Sequence, residues 1–423
     1  MYSLRPRTTA LILGALLFMA VTFCVSQSAT AFKVVRDNTD SDNGTKLLIV
    51  PYAFSTEASG GGIGVGGGLS GWPQEQMVVG GTAWKTFDKT DAIYLNVTDY
   101  QFSFDKRLFM TVHGFEGSYD NMISYGSGTG GGNDSAKDSY HKGHGWDQWV
   151  EAEFTYALPW GPFGDEPIHT YVTDRGMLSD GSLYKGEYDP FESGRSFFKF
   201  KPFYRHRWFR EDAPQNSDVE DYGFRFTYEY DNSDFSYDPS EGSKTILRLW
   251  QGLKAGESNS WTALELDFSK YLDLGESDLF SKQVAAFNFW TVDTPSWDYK
   301  DNGKVSGDSP YFMGANLGGY NRQRGYSFYR FHDKSAINYQ FEYRAIPKWN
   351  PLESYQWFKW WELVPFAEVG RVARYWSPQE LHKDMKVSAG LGLRVMVLNT
   401  VLRLDMAGSN EGGNIWAMVN QTF

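Results

Sequence analysis

The residues with the most distinctive chemistry lie in "GGYNRQRGYSFYRF" (residues 318–331), a loop-like stretch that holds three arginines among many aromatic side chains. An ordinary surface loop needs only turn-forming and charged residues. A guanidinium can bind a carboxylate through two parallel hydrogen bonds, and such pairs are strong where water is partly excluded. The stretch is therefore the first candidate for a site, and its role depends on the elements around it.

Two other stretches carry side chains that could bind a metal. His141, His144 and Asp147 lie in "HKGHGWD", but the glycine-rich flanks offer no rigid second layer of partners, which favours a solvated loop. Residues 37–44, "DNTDSDNG", have the oxygen ligands of a calcium loop but lack its closing glutamate, which favours a disordered tail. The sequence therefore predicts no metal site and no cofactor.

An enzymatic site is not indicated. A lipase would need a serine nucleophile and a histidine base on one surface. His206 has no oriented serine and no third polar partner near it in the sequence to complete such a set. We predict no catalytic residue and no enzymatic activity.

The composition limits the class of protein. The formal net charge of −12 argues against a nucleic-acid partner, because such a partner needs a basic surface. Aromatic residues make up 17% of the chain and glycines number 44, an unusual combination for a soluble domain. Beyond residue 31, no run of about eighteen apolar residues offers a transmembrane helix.

The first 31 residues have the pattern of a secretory signal peptide. Arg5 and Arg7 precede an apolar run at 10–23, and an Ala-Thr-Ala sequence at 29–31 offers the cleavage site. Cys24, the one cysteine of the chain, falls within this segment. The mature chain would then begin at Phe32 and have neither disulfides nor thiolate metal sites.

Strict alternation of apolar and polar residues recurs along the rest of the chain, in segments of about ten residues typical of transmembrane strands. In "YGFRFTYEY" (222–230), aromatic residues occupy every second position, and Arg225 and Glu229 are among the residues between them. The strands of a soluble β-sandwich show the same alternation of apolar and polar residues. Here, however, one face carries charges in mid-strand and the other a continuous apolar band, as a wet lumen and surrounding lipid require. Since backbone groups in a bilayer must be bonded internally, such strands should close into a barrel.

The alternation predicts an all-β fold, a transmembrane antiparallel β-barrel of about 16 strands over residues 46–423, after a short periplasmic extension at 32–45. An even strand number places both termini in the periplasm and the barrel in the lipid of a Gram-negative outer membrane. Residues 159–194 form a segment that is too long for a periplasmic turn, and it can contain further short strands. The predicted strands start near residues 46, 62, 77, 92, 107, 148, 197, 221, 244, 261, 283, 335, 362, 386, 400 and 414.

The side of the strands predicted to face the lumen is charged, with a small excess of cations. On strands seven to fifteen it carries nine basic residues, Lys199, Lys201, Arg205, Arg207, Arg225, Arg248, Arg344, Arg394 and Arg403. It carries six acidic residues, Glu229, Glu265, Asp267, Glu342, Glu368 and Asp405.

Five motifs follow one another between residues 314 and 423. They are Arg324-Gly325-Tyr326, Phe366-Ala367-Glu368-Val369-Gly370, "AGLGLR" (389–394), "LRLDMA" (402–407) and the terminal "NQTF". In this order they resemble the outer-membrane protein assembly factor superfamily, the barrels of the BamA and TamA type. Glu368 stands where an aspartate is commoner in that family.

The resemblance implies that Arg324-Gly325-Tyr326 forms the tip of a long loop folded into the lumen. Arg324 would then meet a carboxylate in a partly desolvated interior. Gly325 would permit a tight turn, and Tyr326 would pack on the wall. We call this predicted attachment of the loop the latch. By alternation, its lumen-facing partners are Phe366, Glu368, Gly370, Arg394, Arg403 and Asp405.

The last strand carries a second predicted site. Ile415, Ala417, Val419 and Phe423 are expected to share one apolar face. Such an edge resembles the recognition signal read by the barrel-assembly machinery, which makes that machinery a predicted partner by strand addition.

The resemblance implies a role in outer-membrane protein assembly or polypeptide translocation, with an unfolded polypeptide as substrate. Family members usually carry periplasmic POTRA domains, for which residues 32–45 leave no room, so the chain looks like the lone-barrel branch. Two alternatives stay open. The basic excess in the lumen favours a passive pore for small solutes, and the long acidic loops favour a structural or anchoring barrel.

Overall fold

The structure is a computed structural model that describes residues 33–38, 45–56, 60–126, 131–164, 166–210, 218–254, 260–300, 305–355, 357–397 and 400–423. The signal peptide predicted for residues 1–31 lies outside these ranges. No helix in the described part of the chain has the length and apolar composition needed to cross a bilayer.

Sixteen strands form one antiparallel sheet in which each strand pairs with its neighbours in this series. The predicted all-β fold and strand number are confirmed. The sixth strand starts at His141, not near 148, because residues 141–143 pair with 122–124 across a bulge although they lack clean alternation. The strands are β1 Lys46–Thr56, β2 Gly60–Ser70, β3 Val78–Thr86, β4 Asp91–Gln101, β5 Leu108–Ser124, β6 His141–Ala157, β7 Arg195–Phe209, β8 Val219–Ser233, β9 Gly242–Leu253, β10 Trp261–Asp273, β11 Phe280–Asp293, β12 Ser335–Pro347, β13 Phe358–Ala373, β14 Lys386–Val397, β15 Thr400–Ser409 and β16 Gly412–Val419.

The period of two along the strands separates an apolar outer face from a charged inner face. On β9, Leu247 and Leu249 are exposed on the outside, and Arg248 between them turns inward to an ion pair with Glu265 of β10. The inward side predicted from the alternation is thus the side on which the ion pairs of this region lie.

The sheet curls until β1 and β16 lie next to each other. Within the described residues these two strands are not hydrogen-bonded to each other, unlike every other neighbouring pair of the series. We call this contact the seam. The end of the sheet at which β1 begins and β16 ends is called the proximal rim, and the opposite end the distal rim.

Three short strands form a separate sheet at the proximal rim, which we call the mouth sheet. Lys33–Asp37 pairs parallel with His169–Asp174, and the latter pairs antiparallel with Met177–Asp180. The expectation of hidden short strands in residues 159–194 is confirmed. The interpretation of residues 37–44 as a disordered tail is wrong for Asp37, because this residue pairs with Thr173, while residues 39–44 lie outside the described ranges.

The mouth sheet lies across the proximal opening. Arg36 forms an ion pair with Glu75, in the turn between β2 and β3. The Lys33 ammonium lies 3.7 Å from the ring centroid of Tyr237, in the turn between β8 and β9. On a third side, Met177 packs in an apolar cluster of buried residues from β12 to β15, namely Ile346, Trp360, Met396 and Val401.

We expect Asp37→Asn to detach the mouth sheet. The Asp37 carboxylate is buried, lies 3.3 Å from the Lys359 ammonium, and accepts hydrogen bonds from Gly176 N (2.6 Å) and Thr173 Oγ1 (3.0 Å). Removing one charge of a buried pair costs about 3–5 kcal/mol. Limited proteolysis of the refolded chain should therefore show faster cleavage within residues 158–194.

The matched control for this variant is Arg36→Gln. The ion pair of Arg36 with Glu75 is about half exposed on both sides, so its loss should leave the cleavage rate unchanged. Equal cleavage of the parent and Asp37→Asn would show that the buried pair does not hold the mouth sheet in place.

Candidate functional site

The segment that joins β11 to β12, residues 294–334, enters the lumen from the distal rim, and we call it the folded-in loop. Its described part contains two short antiparallel pairs, Asp298–Tyr299 with Val305–Ser306 and Asn316–Leu317 with Phe331–His332. The loop stays inside because its apolar side chains join the wall in one core. Leu317, Tyr326 and Phe331 are buried there with Trp290 of β11 and Val372 of β13.

The base of the loop is held at the distal rim. The backbone N–H of His332 donates to Gly131 O at 2.6 Å, and its ring lies 4.9 Å from that of Trp297. Burial lowers the pKa of His332 to about 3, so this ring is neutral at neutral pH.

Arg324 is the centre of the contacts at the loop tip, and its side chain is fully buried. Its backbone N–H and Nε donate to the two carboxylate oxygens of Glu368, at 2.5 and 2.9 Å. Its Nη1 donates to Glu342 at 2.9 Å and to Asp405 at 2.8 Å. The guanidinium carbon also lies 3.5 Å from the ring centroid of Phe366. Three strands thus share one cation, and we call Arg324, Glu342, Glu368 and Asp405 the latch cluster.

Three further buried arginines surround the latch cluster. Arg344 lies 2.9 Å from Glu342, Arg394 bonds Asp405, and the Arg403 Nε lies 3.6 Å from Asp405. With Arg324, these make four guanidinium groups against the three carboxylates of the cluster. Part of the remaining hydrogen-bonding capacity goes to neutral oxygens. Arg403 donates to Tyr320 O at 3.1 Å and to Thr422 Oγ1 at 2.8 Å.

Gly325 is needed for close approach to the wall. A Cβ atom at this position would lie 2.5 Å from Gly408 O and 2.8 Å from the Cβ of Ser388. The motif also forms a tight turn, in which the Tyr326 N–H donates to Gln323 O at 2.9 Å with Arg324 and Gly325 between them, and Gln323 itself has a φ of 56°. Gly325 thus lies in the predicted turn, and its lack of a side chain also permits the close packing against the wall.

Tyr326 and Gly370 complete the contact between loop and wall. The Tyr326 hydroxyl donates to Asn410 Oδ1 at 2.7 Å, at the turn between β15 and β16. At Gly370 of β13, a Cβ atom would lie 2.6 Å from Asn338 Oδ1. Gln323 Nε2 donates to the same Asn338 oxygen at 3.0 Å, so this glycine leaves room for the loop.

The other arginines of the loop bind different parts of the wall. Arg322 donates to Asp267 of β10 at 3.0 Å and its guanidinium carbon lies 4.1 Å from the ring centroid of Trp290. Arg330 binds both carboxylate oxygens of Glu411, at 2.7 and 2.8 Å, and Ser135 Oγ at 2.8 Å. These contacts explain the density of arginines in residues 318–331, since each one fixes the loop to a separate element.

The loop tip also binds the last strand directly. Trp416 Nε1 and Asn414 Nδ2 of β16 both donate to Arg324 O, at 2.7 and 3.3 Å. Ser409 Oγ of β15 donates to Gly325 O at 2.8 Å. The strand that forms one side of the seam is therefore held from inside by the folded-in loop.

The structure brings together all the predicted latch residues, but not the four of the terminal edge. Ile415 is exposed on the outside, whereas Ala417 is buried and β16 ends at Val419. Phe423 lies in the lumen, where its ring stacks on Tyr271 of β10 with the centroids 6.5 Å apart. The prediction that Phe423 shares the outer face of Ile415 is wrong, because residues 420–423 turn inward.

Some residues of the site were missed at the sequence level. Glu342 was placed in the lumen by alternation but was not recognised as a partner of Arg324. Trp416 alternates with the outward Ile415, so the same rule could have placed its indole N–H inside. Thr422 carries no such signal, because it lies beyond the end of the strand.

The sequence predicted no metal site at His141, His144 and Asp147. In the structure, His144 and Asp147 point in different directions. His144 pairs with Asp120 at 2.9 Å, whereas Asp147 pairs with Arg205 at 2.6 Å. Among the residues that the structure describes, no group of three or more histidine, cysteine or acidic side chains could hold a metal ion.

A cavity of about 730 Å³ occupies the lumen between the folded-in loop, the inner faces of β5 to β11 and β16. Eight basic and six acidic side chains line it. They are Lys199, Lys201, Arg205, Arg207, Arg225, Lys244, Arg248 and Arg322, and Asp147, Glu151, Glu153, Glu229, Glu265 and Asp267. Residues 413–418 and 420–423 line it as well, so the cavity reaches the seam.

A curled sheet of sixteen antiparallel strands, with apolar side chains outside, ion pairs inside and a loop held in the lumen, is a β-barrel of the outer-membrane type. The model of the Omp85 superfamily domain matches residues 178–410, more than half of the chain. The chain therefore belongs to the Omp85 superfamily.

Several solved structures are similar to this chain, among them those of BamA and CdiB. The crystal structure of BamA from Haemophilus ducreyi lacking POTRA domains 1–3 matches with a TM-score of 0.50 and 14% identity, over 98% of this chain and 78% of that one. CdiB from Escherichia coli matches with a TM-score of 0.51 and 9% identity, over 86% of this chain and 58% of CdiB. At these identities the likeness shows the fold alone. A search of curated proteins finds no match.

Proposed function

We propose that this barrel assembles outer-membrane proteins or translocates polypeptides in a Gram-negative outer membrane, with the proximal rim in the periplasm. In this mechanism the seam between β1 and β16 opens to admit the polypeptide, and release of the latch permits the opening. No covalent chemistry is required. Membership of the Omp85 superfamily supports the general role.

One observation carries the proposal. The last strand has no hydrogen-bonded neighbour on its seam side within the described residues, yet its inner side is bound to the loop tip through Trp416 and Asn414. An unpaired strand edge is a template for another strand. Arg324 thus binds the inner side of β16, the strand whose free edge can accept a strand from a polypeptide.

The glycines beside β1 support a yielding seam. Residues 60–68 of β2 include seven glycines, which provide no side chains to pack against the first strand. Gly in a strand interior weakens it. Less side-chain packing therefore opposes bending of the β1–β2 hairpin away from β16 than in a hairpin whose strands both carry large side chains.

A disulfide across the seam should abolish activity. Leu47 and Ile49 of β1 and Ile415 of β16 are all exposed on the outer face of two strands in contact, so cysteines are introduced at position 415 and at position 47 or 49, with Cys24→Ser as background, and the pair that oxidises completely is used. The activity to measure is the folding of a urea-denatured outer-membrane barrel protein into liposomes that contain the refolded chain, read by heat-modifiable gel mobility. Reductant should restore it.

The matched control uses Met406→Cys with Ile415→Cys. These two residues face each other on β15 and β16, which are already paired, so their disulfide should leave activity unchanged. Full activity of a completely oxidised seam pair would rule out lateral opening.

The charged cavity favours a second candidate, a passive pore for small solutes. Its basic residues exceed its acidic ones by two, a bias that favours anions. The conductance measurements described in the Discussion distinguish this candidate, because a passive pore would be open in the parent chain.

A further inference from the structure

The last four residues, 420–423, do not continue β16. Asn420 has a φ of 71°, in the left-handed region, and its backbone N–H donates to Val401 O at 2.8 Å. This turn directs Gln421, Thr422 and Phe423 into the lumen. We call residues 420–423 the tail. Since its last three residues lie beyond the strand, their side chains fix it in place.

The aromatic ring of the tail lies in a pocket of its own. Phe423 packs against Tyr271 of β10 and against Val284 and Ala286 of β11, all of which are buried. The Arg344 guanidinium carbon lies 5.1 Å from the ring centroid, and its Nη2 donates to Phe423 O at 3.2 Å. The pocket thus binds both the ring and the backbone of one residue.

Gln421 and Thr422 of the tail are bound by charged groups. Gln421 Nε2 donates to Asp238 and to Glu362, both at 3.0 Å, and its Oε1 accepts from Arg394 Nε at 3.2 Å. Thr422 Oγ1 accepts from Arg403 Nη1 at 2.8 Å and, at 3.2 Å, from Arg324 Nη1 of the latch cluster.

Occupation of the site by the tail completes the hydrogen bonding of these groups. Glu362, Arg394 and Arg403 are buried, and each would lose a hydrogen bond if the tail left, although Arg394 would keep Asp405 and Arg403 would keep Tyr320 O. Loss of a hydrogen bond is costly for a buried charged group. If the tail left, these residues and the Phe423 pocket would need another segment of similar chemistry or water. The site is therefore built to bind a short extended peptide with an amide, a hydroxyl and an aromatic side chain in succession.

The site can be reached from the lumen. All four residues of the tail line the cavity of about 730 Å³, so a peptide in the cavity lies next to them. We propose that this is a peptide-binding site, occupied in cis by the tail, and that an aromatic-containing segment of a polypeptide substrate displaces the tail. Because Thr422 also bonds Arg324, displacement would remove one contact from the latch.

The inference rests on the proposed function, because it gives the polypeptide a place in the lumen, but binding can be measured without transport. The full-length Phe423→Ala variant empties the aromatic pocket and keeps the remaining tail. Fluorescence anisotropy of a labelled peptide with the sequence of residues 418–423 should show binding at least about tenfold tighter to this variant than to the parent. The same peptide with its phenylalanine replaced by alanine should lose that gain.

A second variant keeps the test informative if Phe423→Ala does not refold. Thr422→Ala removes the hydroxyl that Arg403 and Arg324 share, so the tail is held less tightly and the labelled peptide should bind with an intermediate affinity. Equal affinities of the folded variants and the parent, or equal binding of the two peptides, would overturn the proposal. Failure of liposome folding with intact peptide binding would instead contradict only the proposed function.

Discussion

Arg324→Ala is expected to give a larger and steadier pore than the parent chain, whose currents should be small and flickering. The substitution removes the guanidinium shared by Glu342, Glu368 and Asp405, all fully buried. Removing one partner of a buried ion pair costs about 3–5 kcal/mol, so the loop tip should leave the wall. Single-channel conductance of the refolded mature chain in a planar bilayer measures the effect.

Further variants at the same contact distinguish the effect of the charge on the conductance from the effect of the hydrogen-bond geometry. Glu368→Ala removes the carboxylate that binds both Arg324 N and Nε, so it should resemble Arg324→Ala. Arg324→Lys retains a cation but not the planar fork, and an intermediate conductance is expected. Arg175→Gln, which removes an ion pair with the largely exposed Glu353, serves as the control without effect.

The outcome decides between the two candidate functions. If the parent, Arg324→Ala and Glu368→Ala conduct alike with a steady open level, the loop does not act as a latch. The passive pore would then become the better explanation of the charged cavity.

The strands could be predicted because the bilayer imposes a simple rule on them. Each must place apolar side chains outside and can place charged ones inside, so the period of two is visible in segments such as 222–230. The same parity put Glu368, Arg394 and Asp405 on the lumen side. Their meeting with Arg324 needed the family resemblance, because no local pattern shows which way a loop folds.

The pairing that forms the mouth sheet and the course of the tail could not be predicted, for different physical reasons. Asp37 and Thr173, which are paired in the mouth sheet, are 136 residues apart, and two short strands separated in this way leave no periodic signal. The tail leaves the barrel wall through the left-handed conformation of Asn420. An asparagine tolerates that conformation but does not require it, so the sequence was equally compatible with an extended strand to Phe423.

Gly325→Ala is expected to release the loop as effectively as loss of the arginine, although only one methyl group is added. That methyl would lie 2.5 Å from Gly408 O, a backbone atom of a strand paired on both sides, to Ala389 and to Gly413. A flexible side chain could move aside, but this oxygen cannot without breaking the sheet. Conductance should rise, and proteolysis after Arg322 and Arg330 from the distal side should become faster.

The control is Gly408→Ala, on the other side of the same contact. A Cβ atom there would have Gly412 O at 3.9 Å as its nearest neighbour, so the loop should stay in place and the conductance should not change. The double variant Arg324→Ala, Gly325→Ala gives the sharper comparison. If both substitutions act by releasing one loop, the double variant should conduct no more than either single variant. Additive increases would mean that the arginine and the glycine restrict the lumen independently, and that the loop is not held as a single unit.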